Sequence, residues 1–225
     1  MTRMSSQLLL LGSLAAFLSS SVFSPAWAES QKQQDKTQVK AQAKTQALSR
    51  ILECPEKFSI GRVYVLNKLD LTTHVIETDV AKVRKLAQGQ VTIPKKGYAF
   101  LVGSYALGES LQPLQKLKGD DLQIIKLSKL TFNEQDLQYL TGITGLQRLE
   151  LDSTDVSDQG LKTLAKLPNL VYLNLTRTMT TGKNIADLAP LKNLIELQLG
   201  HNALCDGNLN GIAAVQSLKA LHVQA

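Results

Sequence analysis

Leu122, Leu146, Leu170, Leu194 and Leu218 stand 24 residues apart, and each opens a phrase with apolar side chains at positions 1, 4 and 6. A fixed period of this length means one small unit repeated, each too short to bury its own apolar face. Neighbouring units must supply the core to one another. A chain so built extends in one direction as a solenoid, and its apolar residues are spoken for by stacking before any other role is considered.

Four full units run 122–145, 146–169, 170–193 and 194–217, with a truncated fifth from Leu218. Positions 4 and 6, such as Leu149 and Leu151 or Leu173 and Leu175, alternate as a strand does, with both side chains on one face. Positions 16, 19 and 22, such as Leu161, Leu164 and Leu167, keep the spacing of an α or 3₁₀ helix. The expectation is a short strand, a turn and a short helix per unit, with the strands in one parallel sheet. Asn133, Ser157 or Asp158, Thr181 and Asp206 precede the helical halves, where a short side-chain oxygen accepts from an orphan helix N–H. Thr154, Thr178 and Asn202 at position 9 are expected to point inward and bond the backbone of the turn.

The second unit, Leu146-x-x-Leu149-x-Leu151-x-x-Thr154-x-Val156-Ser157-Asp158-x-Gly160-Leu161-x-x-Leu164-x-x-Leu167, resembles the bacterial leucine-rich repeat family with threonine at position 9. The resemblance covers residues 122–225, one period holding there without an insertion. It departs from the family pattern at Leu130 in the first unit, and the third and fourth units lack the Asp-x-Gly-Leu turn. The fold class implied is α/β, a leucine-rich repeat solenoid with a parallel β-sheet on a concave face and short helices on a convex one. Proteins of this family are mostly binding scaffolds, so the resemblance implies a non-enzymatic interaction role.

Upstream, Leu111, Leu114 and Leu117 mirror Leu137, Leu140 and Ile143, so residues 98–121 read as a degenerate opening repeat. Residues 51–97 carry β-prone runs at Ile60–Leu66 and Gln90–Ile93, then a Pro94-Lys95-Lys96-Gly97 turn, and read as a small β-rich N-terminal cap with a helix near Asp79–Ala87. Residues 29–50 are Gln, Lys, Ala and Thr with five basic side chains against two acidic, a disordered basic linker. Residues 1–28 have the form of a secretory signal peptide: Arg3, an apolar run from Leu8 to Leu18, and Ala26-Trp27-Ala28 as a small-x-small cleavage site. That run is about half the length a bilayer span requires, so the mature chain is expected in the periplasm or outside the cell.

Cys54 and Cys205 flank the stack about four strand steps apart, on the order of 20 Å, against the roughly 7 Å between Cα atoms that a disulfide tolerates. Two free thiols are expected unless the N-terminal segment doubles back. No nucleophile elbow, phosphate-cradling loop or Cys-His pairing is present, and residues 51–225 carry 19 basic and 17 acidic groups, a balance unsuited to nucleic acid. His201 and His222 sit near Asp152 or Glu196 without three convergent ligands being implied, so no metal or cofactor is expected. The outward positions of the strands form ladders about 4.8 Å apart, and their centre offers Arg148, Tyr172, Asn174, Arg177, Glu196, Gln198 and His201 as a mixed polar face with one aromatic anchor. A solvated sheet face, with Arg148 and Glu196 neutralising each other, is the bland alternative. The function expected is an exported binding protein that takes a protein partner or an envelope glycan on this concave face. A structural or oligomerising module of the cell envelope and a secreted host-interacting effector are the alternatives.

Overall fold

The structure, a computed structural model, describes residues 49–69, 71 and 83–224, together with the helical positions 29, 33 and 34. Residues 1–47 and 48–225 are separate units. The leader read at residues 1–28, and most of the linker after it, lie outside the described residues. No helix of the described residues is long and apolar enough to cross a membrane.

Residues 48–225 are organised by a sheet of eight strands. In chain order the strands are β1 (Ser49–Glu53), β2 (Gly61–Leu66), β3 (Val83–Leu86), β4 (Gln90–Pro94), β5 (Tyr98–Gly103), β6 (Ile124–Lys126), β7 (Arg148–Glu150), β8 (Tyr172–Asn174), β9 (Glu196–Gln198) and β10 (Ala220–His222). From β5 to β10 every pairing is parallel and the register never slips: Leu101, Ile125, Leu149, Leu173, Leu197 and Leu221 stand in one row. The 24-residue period is therefore the distance along the chain from one rung of the sheet to the next. Between strands the chain returns through 3₁₀ helices at Glu134–Leu140, Ile185–Leu188 and Asp206–Ala214, or a single α turn at Leu161–Leu164. The alternation of parallel strands with short helices is a leucine-rich-repeat-like α/β arrangement.

Positions 1, 4, 6, 16, 19 and 22 supply the core. In the unit from Leu146 all six, Leu146, Leu149, Leu151, Leu161, Leu164 and Leu167, are buried to within 1%. Each such leucine is worth about 2 kcal/mol of transfer free energy, which is why a three-residue strand persists without a long partner. The same cluster continues without a break into Leu52, Val91 and Ile93 of the antiparallel β1–β4 pair and into Cys54 just after β1.

Polar side chains bind rung to rung. The inward hydroxyls of Thr154 and Thr178 donate to the carbonyls of Leu151 and Leu175, at 2.6 and 2.8 Å. Asn202 donates to Leu175 O and accepts from Thr178 N, spanning two units as the position-9 reading anticipates. The expected helix caps are only partly realised. Asn133 accepts from Gln135 N, but Asp158 accepts instead from the backbone and hydroxyl of Thr181, one unit further on. Glu134 does the same to Ser157, at 2.6 Å from its N–H and 3.0 Å from its hydroxyl, and adds Gly160 N. The facing turn of the next unit presents an N–H and a hydroxyl within reach of each acid, so these ties run between units. A Cβ at Gly160 would lie 2.7 Å from Glu134 Oε1 and 2.9 Å from Leu137 Cδ1, so a larger residue there must displace those side-chain ends.

Two further differences from the sequence reading fall in the cap. Val83–Leu86 is a strand rather than part of a helix, because β2 has a second edge to satisfy once β5 occupies the first. β1 begins at Ser49, before the residue 51 boundary, since Arg50 donates to Gly97 O and to Gln123 Oε1 at 3.1 and 3.0 Å. Both cysteines are free, Cys54 buried and Cys205 exposed.

Replacing Glu134 by alanine leaves the Ser157 N–H without its acceptor and the Gly160 N–H with only the Ser157 carbonyl at 3.2 Å, and is expected to cost about 1–3 kcal/mol in urea unfolding. Glu134→Gln, which keeps one acceptor oxygen, should lose less. An unchanged unfolding midpoint for the alanine variant would mean these bonds add nothing to rung stacking.

Burial raises the Cys54 thiol from 9.0 to about 11, with the nearby Asp121 carboxylate adding to the effect. The neutral thiol is thus favoured in the folded state. Its stabilisation is intact below pH 9.0 and falls as the pH rises from there to about 11, where the unfolded chain ionises and the folded one does not. Urea midpoints measured across that window should decline more steeply for the native chain than for Cys54→Ala.

Candidate functional site

The sheet face opposite the main core carries positions 3 and 5, and its character changes along the stack. At the β2–β5–β6 end it is apolar: Tyr64, Leu66, Phe100 and Ile124 form a second buried cluster, with Leu69 packed against them. Tyr64 and Phe100 rings lie 5.6 Å apart at 31°. Their presence is readable in the unbroken apolar run Val63–Leu66 and in Phe100, because a strand buried on both faces loses its alternation. The position-3 ladder draws attention only to the rungs beyond.

In the middle of the face sits a buried charged group. Arg148 is 0% exposed and Glu150 is 4% exposed, two residues apart on β7 and so on the same side of the sheet. Arg148 Nε donates to Glu150 Oε1 at 2.9 Å and Nη2 lies 2.8 Å from the same oxygen. Lys126 of the preceding strand reaches Glu150 Oε2 at 3.0 Å. The guanidinium also stacks 3.9 Å above the ring of Tyr172 on β8, a cation–π contact in a desolvated setting. Burial raises the Tyr172 phenol to about 12, an effect that Arg148 opposes. Arg148 Nη1 finally donates to the carbonyl of Leu71, at 3.3 Å, so a backbone segment following β2 already rests on this face.

Arg148 and Tyr172 therefore do not face solvent, whereas the remaining residues of the sequence-derived face do so increasingly. Asn174, Glu196 and Gln198 are half-buried, and Arg177 and His201 are exposed. Arg177 and His201, with Lys129 and Ser153, hold left-handed backbone angles between 55° and 62° at position 8 of successive units, where each N–H turns to the next rung. Glu196 does not pair with Arg148. The two lie in the same register row but two strands apart, about 10 Å, so each carboxylate takes a nearer partner. Gln198 donates to Glu196 Oε1 at 2.7 Å, and His222 Nε2 of β10 lies 3.4 Å from it.

Among the described residues no three His, Cys, Asp or Glu side chains gather where a metal would be held. No family model and no curated protein matches the chain. Among solved structures it is similar to an internalin C2 of Listeria monocytogenes, at 27% identity and a TM-score of 0.42, over 52% of this chain and 47% of that one. It is also similar to an internalin (inlF) of the same organism, at 20% identity and a TM-score of 0.37, over 52% of this chain and 38% of that one. The chain thus spans less than half the length of either.

Breaking the buried pair by Arg148→Ala is expected to destabilise the fold by about 3–5 kcal/mol, because Glu150 is left charged, desolvated and served only by Lys126. Arg148→Met combined with Glu150→Leu should recover most of that loss. A double-mutant cycle in urea measures the coupling, and strictly additive losses would show that the pair is not energetically linked.

Proposed function

We propose that this chain is an exported, non-enzymatic leucine-rich repeat solenoid that recognises a protein partner on its concave sheet face, without chemistry of its own. The observation that carries the reading is the state of Arg148. An outward position on this sheet could be filled by an aliphatic residue, as Ile124 fills it one rung earlier. Instead a guanidinium is held by Glu150 and Tyr172, and its Nη1 donates to a backbone carbonyl. A site that accepts the main chain of Leu71 has the chemistry to accept the main chain of a partner. Beside it, Asn174, Gln198, Arg177 and His201 supply donors and acceptors that remain accessible.

Because Arg148 and Tyr172 are buried, their removal would confuse folding with binding. The test belongs on the exposed rungs. Arg177→Ala with His201→Ala should leave the unfolding midpoint within about 0.5 kcal/mol of the native chain while lowering recovery of a specific partner from envelope extracts severalfold. Recovery of the same partner at the same yield would place its binding elsewhere.

A further inference from the structure

A second surface lies where the strands begin, away from positions 3 and 5. It is a groove of about 580 Å³ running across consecutive rungs. Its floor is the position-2 column, Val171 and Ile195, ending in Gln147 on one side and Lys219 on the other. Its wall is the loop column just before each strand, Asn169, Asn193 and Ser217, with Lys192 and Gln216 beside it.

The wall is built rather than merely solvated. Asn169 donates to Thr144 O at 2.9 Å, Asn193 to Pro168 O at 3.0 Å and Ser217 to Leu191 O at 2.7 Å, each reaching back one unit. These bonds fix the side chains before any ligand arrives, so little ordering entropy remains to oppose binding. The fixed amides keep an oxygen and an N–H for a ligand, which suits a peptide backbone. Ile195 is 40% exposed above half-buried Val171, an aliphatic strip that water covers at a cost. The charged residues of the groove are Lys192 and Lys219, and no carboxylate lines it.

We propose that this groove binds an extended acidic peptide, with its carboxylates toward Lys192 and Lys219, an aliphatic side chain on Ile195, and its backbone along the asparagine column. An acidic polysaccharide would satisfy the lysines but has nothing aliphatic for Ile195, and no aromatic ring lines the groove for a sugar face to stack on. The site is independent of the concave-face reading, because it uses none of the same residues.

The test is fluorescence anisotropy of the full chain with a labelled peptide of alternating glutamate and valine, against a lysine–valine peptide and against polygalacturonate as competitor. The acidic peptide should bind selectively, more tightly at low salt. Lys192→Glu with Lys219→Glu, and separately Ile195→Asp, should each weaken it on the order of tenfold, all three positions being exposed and the fold checked by circular dichroism. Arg177→Ala with His201→Ala should change nothing. Absence of binding, equal binding of the lysine–valine peptide, or loss with the concave-face pair would overturn the proposal. So would tighter binding of polygalacturonate through the same lysines, which would make the groove a site for acidic glycan.

Discussion

The one constraint on which everything else rests is the unbroken parallel register from β5 to β10. With period 2 along a strand, a slip of one residue would turn Leu149 outward and Arg148 into the core. The slip is forbidden twice over. In the four full units the aliphatic side chains at positions 4 and 6 interlock from rung to rung with no exposed surface, and position-2 carbonyls each accept two N–H groups from the following unit, as Gln147 O does from Val171 and Tyr172. Apolar burial supplies the driving force, and the backbone bonds decide which arrangement of buried leucines is reached.

Polar side chains then fix what leucines leave loose. A strand of three residues cannot align its own return loop, so the loops are tied to those of adjacent units: Glu134 to Ser157 and Gly160, Asp158 to Thr181 and Gly182, Asn169 and Asn193 to carbonyls one unit back. Each tie satisfies a donor or acceptor that the short helices cannot satisfy internally. Gln123 does similar work where cap meets stack, accepting from Ala99 N and Arg50 while donating to Asp120 O. β1 is thereby joined to the first rung by the part-buried Arg50–Gln123 bond as well as by the shared apolar cluster.

Periodicity made the strand rows, the helical columns and the inward threonines legible in the sequence, because each depends on a residue type recurring at one spacing. The acid at position 13 reaching the hydroxyl residue at position 12 of the next unit also recurs, in Glu134–Ser157 and Asp158–Thr181. The spacing carries that signal, but at Asp158 it is the same as that of a local cap, a short acceptor before a helix. Val83–Leu86 carried no such signal. Its strand state is imposed by the edge of β2, a demand that no local window contains. The covering of Arg148 by the Leu71 carbonyl is of the same kind, a contact across 77 residues set by where β2 ends.

The stack also separates what folding requires from what it leaves open. Position 4 reads Ile125, Leu149, Leu173, Leu197, Leu221, one chemistry throughout, because each residue faces its copies. Position 3 reads Ile124, Arg148, Tyr172, Glu196, Ala220 in the same strands, and no two are alike. Nothing in rung stacking asks for that diversity. A buried arginine is, moreover, a poor stabiliser compared with an aliphatic residue of similar volume, since its desolvation consumes most of what Glu150 and Tyr172 return. Its directional donors are used within the chain, on Glu150 and on the carbonyl of Leu71, so this rung of the sheet face is held by polar geometry where Ile124 holds the preceding rung by apolar contact.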